Sequence, residues 1–96
     1  MTMADVYLYP TEAGGKTQPA SGIYRPIAFA RKDATEAGYG CLIEIEAQPL
    51  RPGEHRNLSV SFPMCEDEAM RAFRSATKLY LWEGRFVGEI TLLQSN

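Results

Sequence analysis

Leu79-Tyr80-Leu81-Trp82-Glu83-Gly84-Arg85-Phe86-Val87-Gly88-Glu89-Ile90-Thr91-Leu92-Leu93 reads as two strands folded back on one another at Glu83-Gly84. Aromatic and branched residues suit a pleated, half-buried surface, and a short link containing glycine suits a tight reversal. In the second arm Phe86, Gly88, Ile90 and Leu92 share one face, and Arg85, Glu89 and Thr91 share the other. One hairpin of this kind cannot stand alone in water, so the rest of the chain must supply further strands.

It does so on both sides of a charged interruption. Leu58, Val60 and Phe62 alternate with Asn57, Ser59 and Ser61, the cleanest amphipathic strand in the chain, and Pro63 ends it. Cys41, Ile43 and Ile45 alternate with Leu42, Glu44 and Glu46. Asp5-Val6-Tyr7-Leu8-Tyr9 is a first strand stopped by Pro10, and Tyr24 to Arg31 a second. Pro26 has no N–H, so it belongs at an edge or a strand start. Between them lie polar connectors. Glu12 to Pro19 contains Gly14 and Gly15, Asp33 to Gly38 carries no packing face, and Gln48 to Glu54 contains Pro52-Gly53, which favours a tight turn.

The interruption is Cys65 to Arg74. Glu66, Asp67 and Glu68 precede Arg71 and Arg74, the order a helix dipole favours, and Met70 and Phe73 share a face three residues apart. This predicts one short helix near residues 66–74. The expected fold is therefore all-β. About six short antiparallel strands separated by Gly/Pro turns form a small barrel or sandwich, with one helix.

The 96 residues make a single domain, 1–96. At that size roughly 60–65% of the unfolded surface can be buried. A net charge of -2 argues against strong non-specific nucleic-acid binding. No apolar stretch approaches about 20 residues and the N-terminal segment lacks a basic, apolar leader, so neither a membrane span nor a signal peptide is expected. Cys41 and Cys65 are too few for a disulfide scaffold or a metal cage, and a cytoplasmic protein with reduced thiols is expected.

Candidate chemistry is sparse. Cys41 with His55, the only histidine, could be a nucleophile and base, but Cys41 falls on an apolar strand face and His55 beside a turn. Glu66, Asp67 and Glu68 are consecutive, and a helix points such residues in different directions. Glu44 and Glu46 share a strand face that reads as solvated. Gly15-Lys16-Thr17 resembles the end of a phosphate loop, yet the glycine required five positions earlier is Pro10. No catalytic residue, metal or cofactor is expected. Tyr7, Tyr9, Tyr24, Tyr39, Tyr80 and Trp82 stand among Arg25, Arg31 and Arg85, a composition that barrels holding single-stranded nucleic acid share.

Several motifs occur in order along the chain: Val6-Tyr7-Leu8, Glu12-Ala13-Gly14-Gly15-Lys16, Tyr24-Arg25-Pro26, Asp33-Ala34-Thr35, Pro52-Gly53-Glu54 and Trp82-Glu83-Gly84-Arg85-Phe86-Val87-Gly88. Together they resemble the third, C-terminal β-barrel domain of bacterial elongation factor Tu. That resemblance implies a six-stranded antiparallel barrel. In the family this domain packs on the GTPase domain, touches the exchange factor and helps hold the T stem of aminoacyl-tRNA. The matching positions are Arg25, Glu83, Gly84 and Arg85. The chain departs from the family at Ile27 and Trp82, where the family has glutamine and arginine. It also has a longer, more charged Cys65 to Ser75 segment.

The expected function is non-catalytic binding, foremost of a protein, as an adaptor, an immunity protein or a mimic of the translation factor. Tyr80, Trp82 and Arg85 are the expected anchors, since such residues dominate interface hot spots. The alternative is an RNA- or tRNA-binding module using Lys16, Arg25 and Arg85. Either a monomer or a homodimer is consistent with these features.

Overall fold

The computed structural model describes residues 2–33 and 37–93. Among them are β1 (Thr2–Leu8), β2 (Ala20–Tyr24), β3 (Ile27–Phe29), β4 (Tyr39–Gly40), β5 (Leu42–Leu50), β6 (His55–Ser61), helix α1 (Glu66–Ala76), β7 (Lys78–Trp82) and β8 (Phe86–Leu92). The strands form one antiparallel sheet in the order β2-β5-β6-β1-β8-β7-β3-β4, curled into a half-barrel. β1 sits mid-sheet, between β6 and β8.

The all-β expectation holds at this level, with eight strands in place of six. The difference has a local cause. Only Arg25-Pro26 separates β2 from β3, and only Cys41 separates β4 from β5. The pairs Ile23↔Glu44 and Tyr24↔Ile43 and the pairs Ile27↔Gly40 and Ala28↔Tyr39 keep one register across both breaks. Pro26 cannot donate, but its carbonyl still accepts the Cys41 N–H at 3.0 Å. The chain thus runs from β2, at one end of the sheet order, to β3, next to the other end, across two residues. Pro26 stands at the start of β3, which is paired on both sides, by β4 and β7. The two ends of the sheet order are β2, paired only by β5, and β4, paired only by β3.

Inward positions follow the period of two. Ala4, Val6 and Leu8, Ile43 and Ile45, Leu58 and Val60, and Leu79 and Leu81 are all buried, and Phe62 continues the β6 row. The last strand departs from the expected pattern. Leu81 pairs Gly88 and Trp82 pairs Phe86, so Val87 is an extra residue in a β-bulge. Val87 and Gly88 both face the core, and Phe86 is turned to the outer face rather than sharing a face with Gly88 and Ile90. Gly88 is required where it stands, because a Cβ there would lie 2.4 Å from the Tyr7 carbonyl oxygen.

β5 also runs further than the turn signals indicate, to Leu50, so the predicted 48–54 turn narrows to Arg51–Glu54. The register shifts between Ala20 and Gly22, and Ala47 takes a φ of 62°. Arg56 spans the irregular stretch by donating to the carbonyls of Gln48 (2.6 Å) and Pro49 (3.3 Å).

Helix α1 begins at Glu66 as expected and ends later, at Ala76. Thr77 takes a left-handed φ of 62° and donates its N–H to the Phe73 carbonyl, which closes the helix. Ala69, Met70 and Phe73 enter the core, with Phe73 edge-on to Phe62 at 6.4 Å. Glu66 accepts the Phe62 N–H at 3.0 Å, so the first acid of the predicted trio anchors the helix to β6. Among the described residues no helix is long and apolar enough to cross a membrane.

Candidate functional site

The loop after β1 makes one turn of 3-10 helix, Thr11–Ala13, and then needs two glycines for different reasons. Gly14 has a φ of 92°, a conformation that strains residues with a Cβ. Gly15 lies so close to the preceding chain that a Cβ would fall 2.1 Å from the Tyr9 carbonyl oxygen. The Pro10 carbonyl accepts from both Ala13 (2.9 Å) and Gly15 (3.0 Å). This tight loop presents the Gly14 and Gly15 carbonyls to Arg85, whose Nε and Nη2 donate to them at 3.0 and 2.8 Å.

Lys16 follows and turns back onto the same hairpin tip. Its Nζ lies 2.7 Å from Glu83 Oε1 and 5.3 Å from the centre of the Tyr24 ring. The Tyr24 hydroxyl donates to Glu83 Oε2 at 2.5 Å. The Glu83 N–H donates to the Arg85 carbonyl, and Gly84 supplies the positive φ of the turn. Burial pushes the Glu83 carboxyl up, but Lys16, Tyr24 and Arg85 outweigh it and hold the group below the ordinary value. Burial, reinforced by Glu83, raises the Tyr24 phenol, so it remains a proton donor.

Lys16, Glu83, Gly84 and Arg85 therefore come together from distant parts of the chain. The junction joins parts of itself. The Lys16 side chain is only 15% exposed, and three guanidinium and ammonium contacts are made within the chain. Arg25 is exposed and has no hydrogen-bond or ion-pair partner among the described residues. Of the Asp33-Ala34-Thr35 motif, Asp33 pairs with Arg31 at 2.8 Å, and Ala34 and Thr35 lie outside the described residues.

Tyr80 and Trp82 belong to a second cluster, on the outer face of β7. Leu79 and Leu81 point inward, so Tyr80 and Trp82 point outward. The bulge at Val87 adds Phe86, which meets Tyr80 at 6.4 Å and Phe29 at 6.0 Å, and Phe29 meets Trp82 at 6.2 Å. All three pairs are edge-to-face, the arrangement that ring quadrupoles favour. Lys32 reaches across this face, its Nζ lying 4.5 Å from the Tyr9 ring centre, 5.3 Å from Tyr80 and 5.8 Å from Phe86. Glu89 lies alongside, accepting from the Tyr9 hydroxyl at 3.5 Å and pairing with Lys78 at 3.4 Å. Burial raises the Tyr9 phenol, against the opposing pull of Lys32. The face extends through Tyr7, edge-on to Tyr9 at 5.7 Å, to His55, stacked on Tyr7 at 4.1 Å.

The sequence inventory of aromatics contains Tyr9 and Tyr80, but Phe29, Phe86 and Lys32 escaped it. Only the bulge brings Phe86 outward, and nothing in the local sequence marks Lys32. Cys41 and His55 are not brought together. Cys41 faces the core, where burial pushes its thiol up to about 12. His55 stands on the outer face with Nδ1 2.9 Å from Asp5 Oδ2. Glu44 and Glu46 border an open hollow of about 140 Å³. Glu66 and Asp67 border an open cleft of about 410 Å³ that Arg71 and Arg74 share. Among the described residues no three His, Cys, Asp or Glu side chains are grouped to hold a metal. Neither a protein-family model nor a curated protein matches the chain.

Proposed function

We propose that this chain is a non-catalytic, protein-binding module built on a small barrel that resembles the C-terminal domain of elongation factor Tu. The shared register of β2-β3 and β4-β5 is compatible with six long strands interrupted twice, the arrangement that resemblance implies. The observation that carries the binding reading is the outer aromatic face. Tyr9, Tyr80, Trp82 and Phe86 are all part-exposed, and edge-to-face contacts hold Tyr80, Trp82 and Phe86 in place. Rigid aromatic side chains lose little entropy on docking and dominate interface hot spots.

The RNA reading draws less support. Of its three cations, Lys16 and Arg85 are engaged within the chain, which leaves Arg25. The net charge of -2 adds no general attraction to phosphate. The test is affinity capture from host lysate with wild type, Trp82→Ala and Arg25→Ala, each with and without RNase. The proposal expects a partner that survives RNase, is retained by Arg25→Ala and is lost with Trp82→Ala. A partner lost on RNase treatment, or on Arg25→Ala alone, would favour the RNA reading.

A further inference from the structure

We propose that Tyr9, Tyr80 and Phe86 form a recognition box for a quaternary ammonium group, the trimethylated lysine side chain of a protein partner, and that Lys32 occupies this box as an internal placeholder. The protein source rests on the protein-binding reading; the box itself stands on its geometry.

Three rings from separate segments converge on one ammonium nitrogen, at 4.5, 5.3 and 5.8 Å from their centres. All lie within the ~6 Å over which a ring quadrupole attracts a cation. Tyr80 and Phe86 stand on paired strands, and Phe86 is braced by Phe29, so the box does not need Lys32 to hold its shape. Tyr9 follows β1, its N–H bonded to the Val87 carbonyl at 2.9 Å and its hydroxyl directed at Glu89. The Glu89 carboxylate adds a negative charge at the rim, shared with Lys78. Lys32, by contrast, is an exposed residue in a connection between strands.

A primary ammonium is a poor occupant of such a box. It is compact and strongly hydrated, and beyond the Tyr9 hydroxyl, which engages Lys32, the ring faces offer no acceptors for its three N–H groups. Trimethylation keeps the charge and removes those donors, and the methyl groups pack on the rings. A planar guanidinium stacks best on one parallel face, whereas rings on several sides suit a rounded cation. A quaternary ammonium can therefore displace Lys32 even though Lys32 is tethered nearby.

The test is NMR of the isotope-labelled full chain titrated with tetramethylammonium chloride, with sodium chloride as the ionic-strength control. The expected result is saturable shifts in the Tyr9, Tyr80 and Phe86 rings, with the Lys32 side-chain signals moving as the lysine is released. Lys32→Ala removes the internal competitor and should bind about three- to tenfold tighter. Phe86→Leu keeps apolar bulk but removes a π-face, and should bind about three- to fivefold more weakly. Should Phe86→Leu fail to fold, Tyr80→Leu serves the same purpose. No saturable shift in either wild type or Lys32→Ala, or equal shifts with sodium chloride, overturns the box. A trimethyllysine peptide binding tighter than choline and than its unmethylated form supports the protein source. Choline binding as tightly as the peptide overturns that source while leaving the box intact, whereas failure of the protein-binding reading shows separately, as capture of a partner that Trp82→Ala does not abolish.

Discussion

Gly15→Ala is the sharpest test of the junction between the glycine loop and the hairpin tip. The added Cβ would stand 2.1 Å from the Tyr9 carbonyl oxygen, 2.8 Å from its carbon and 2.9 Å from the Pro10 oxygen. Real Cβ contacts essentially never fall under 3.0 Å, so the Tyr9 carbonyl and Gly15 must separate by about 1 Å. All the clashing atoms are backbone, and no side chain can swing aside. The Tyr9 N–H is bonded to Val87 and the Pro10 carbonyl to Ala13 and Gly15, so movement disturbs several hydrogen bonds. Overpacking of about 1–3 kcal/mol plus about 1 kcal/mol for misaligned contacts to Arg85 gives roughly 2–4 kcal/mol. For a domain of this size that lowers Tm by roughly 10–25 °C. Gly14→Ala is the internal control. It meets nothing within 4 Å but adopts a φ of +92°, so it should lose only about 1 kcal/mol through backbone strain. Urea unfolding of the three proteins decides the matter. Gly15→Ala within about 0.5 kcal/mol of wild type, or no worse than Gly14→Ala, would refute the close approach.

Two further outcomes rest on the same junction and a third on the core. Glu83 is held below its ordinary value in the folded chain, so its favourable contribution is present above the unfolded value of about 4.3 and is lost as pH falls through the lower folded one. The stability gap between wild type and Glu83→Gln, followed by urea unfolding, should therefore close on acidification; a gap unchanged across the acid limb contradicts the pairing with Lys16. Arg85→Lys retains the charge but cannot hold the Gly14 and Gly15 carbonyls together, so it should lose about 1–2 kcal/mol and speed amide exchange at Ala13 and Gly15. Cys41, buried with its thiol pushed up to about 12, should resist iodoacetamide at about pH 8 until the chain unfolds, while half-buried Cys65 reacts first. Equal labelling rates by mass spectrometry would place Cys41 nearer the surface.

The fold was most legible where one face is dry and the other wet. Leu58, Val60 and Phe62 alternate without interruption because β6 is paired on both sides by regular ladders. The acid-first, base-last order around Met70 and Phe73 located the helix for the same kind of reason. The periodic reading failed at Val87, because a bulge adds one residue and reverses every facing before it. It also missed most of β2, since the strand read from Tyr24 to Arg31 contains β3 but meets Ala20–Tyr24 only at its last residue. For the junction, motif order singled out Gly14-Gly15-Lys16 and Glu83-Gly84-Arg85 separately. Their contact was illegible because Arg85 binds backbone carbonyls, which carry no residue identity. The Lys32 box was illegible because a single cation in a polar connector has no periodic signal at all.

The central place of β1 sets a timetable for biosynthesis. Ala4, Val6 and Leu8 leave the ribosome first among the strands, yet one of the two neighbours of β1 is β8, made last. Until residues 86–92 have cleared the exit tunnel, the strand carries a bare apolar row and an unsatisfied edge, the condition under which nascent chains aggregate. The sheet can be completed only after its synthesis, and with most of its pairings far apart in sequence it should fold in milliseconds to seconds rather than microseconds. A factor that shields nascent β-strands would thus matter more to the yield of this chain than to its final stability.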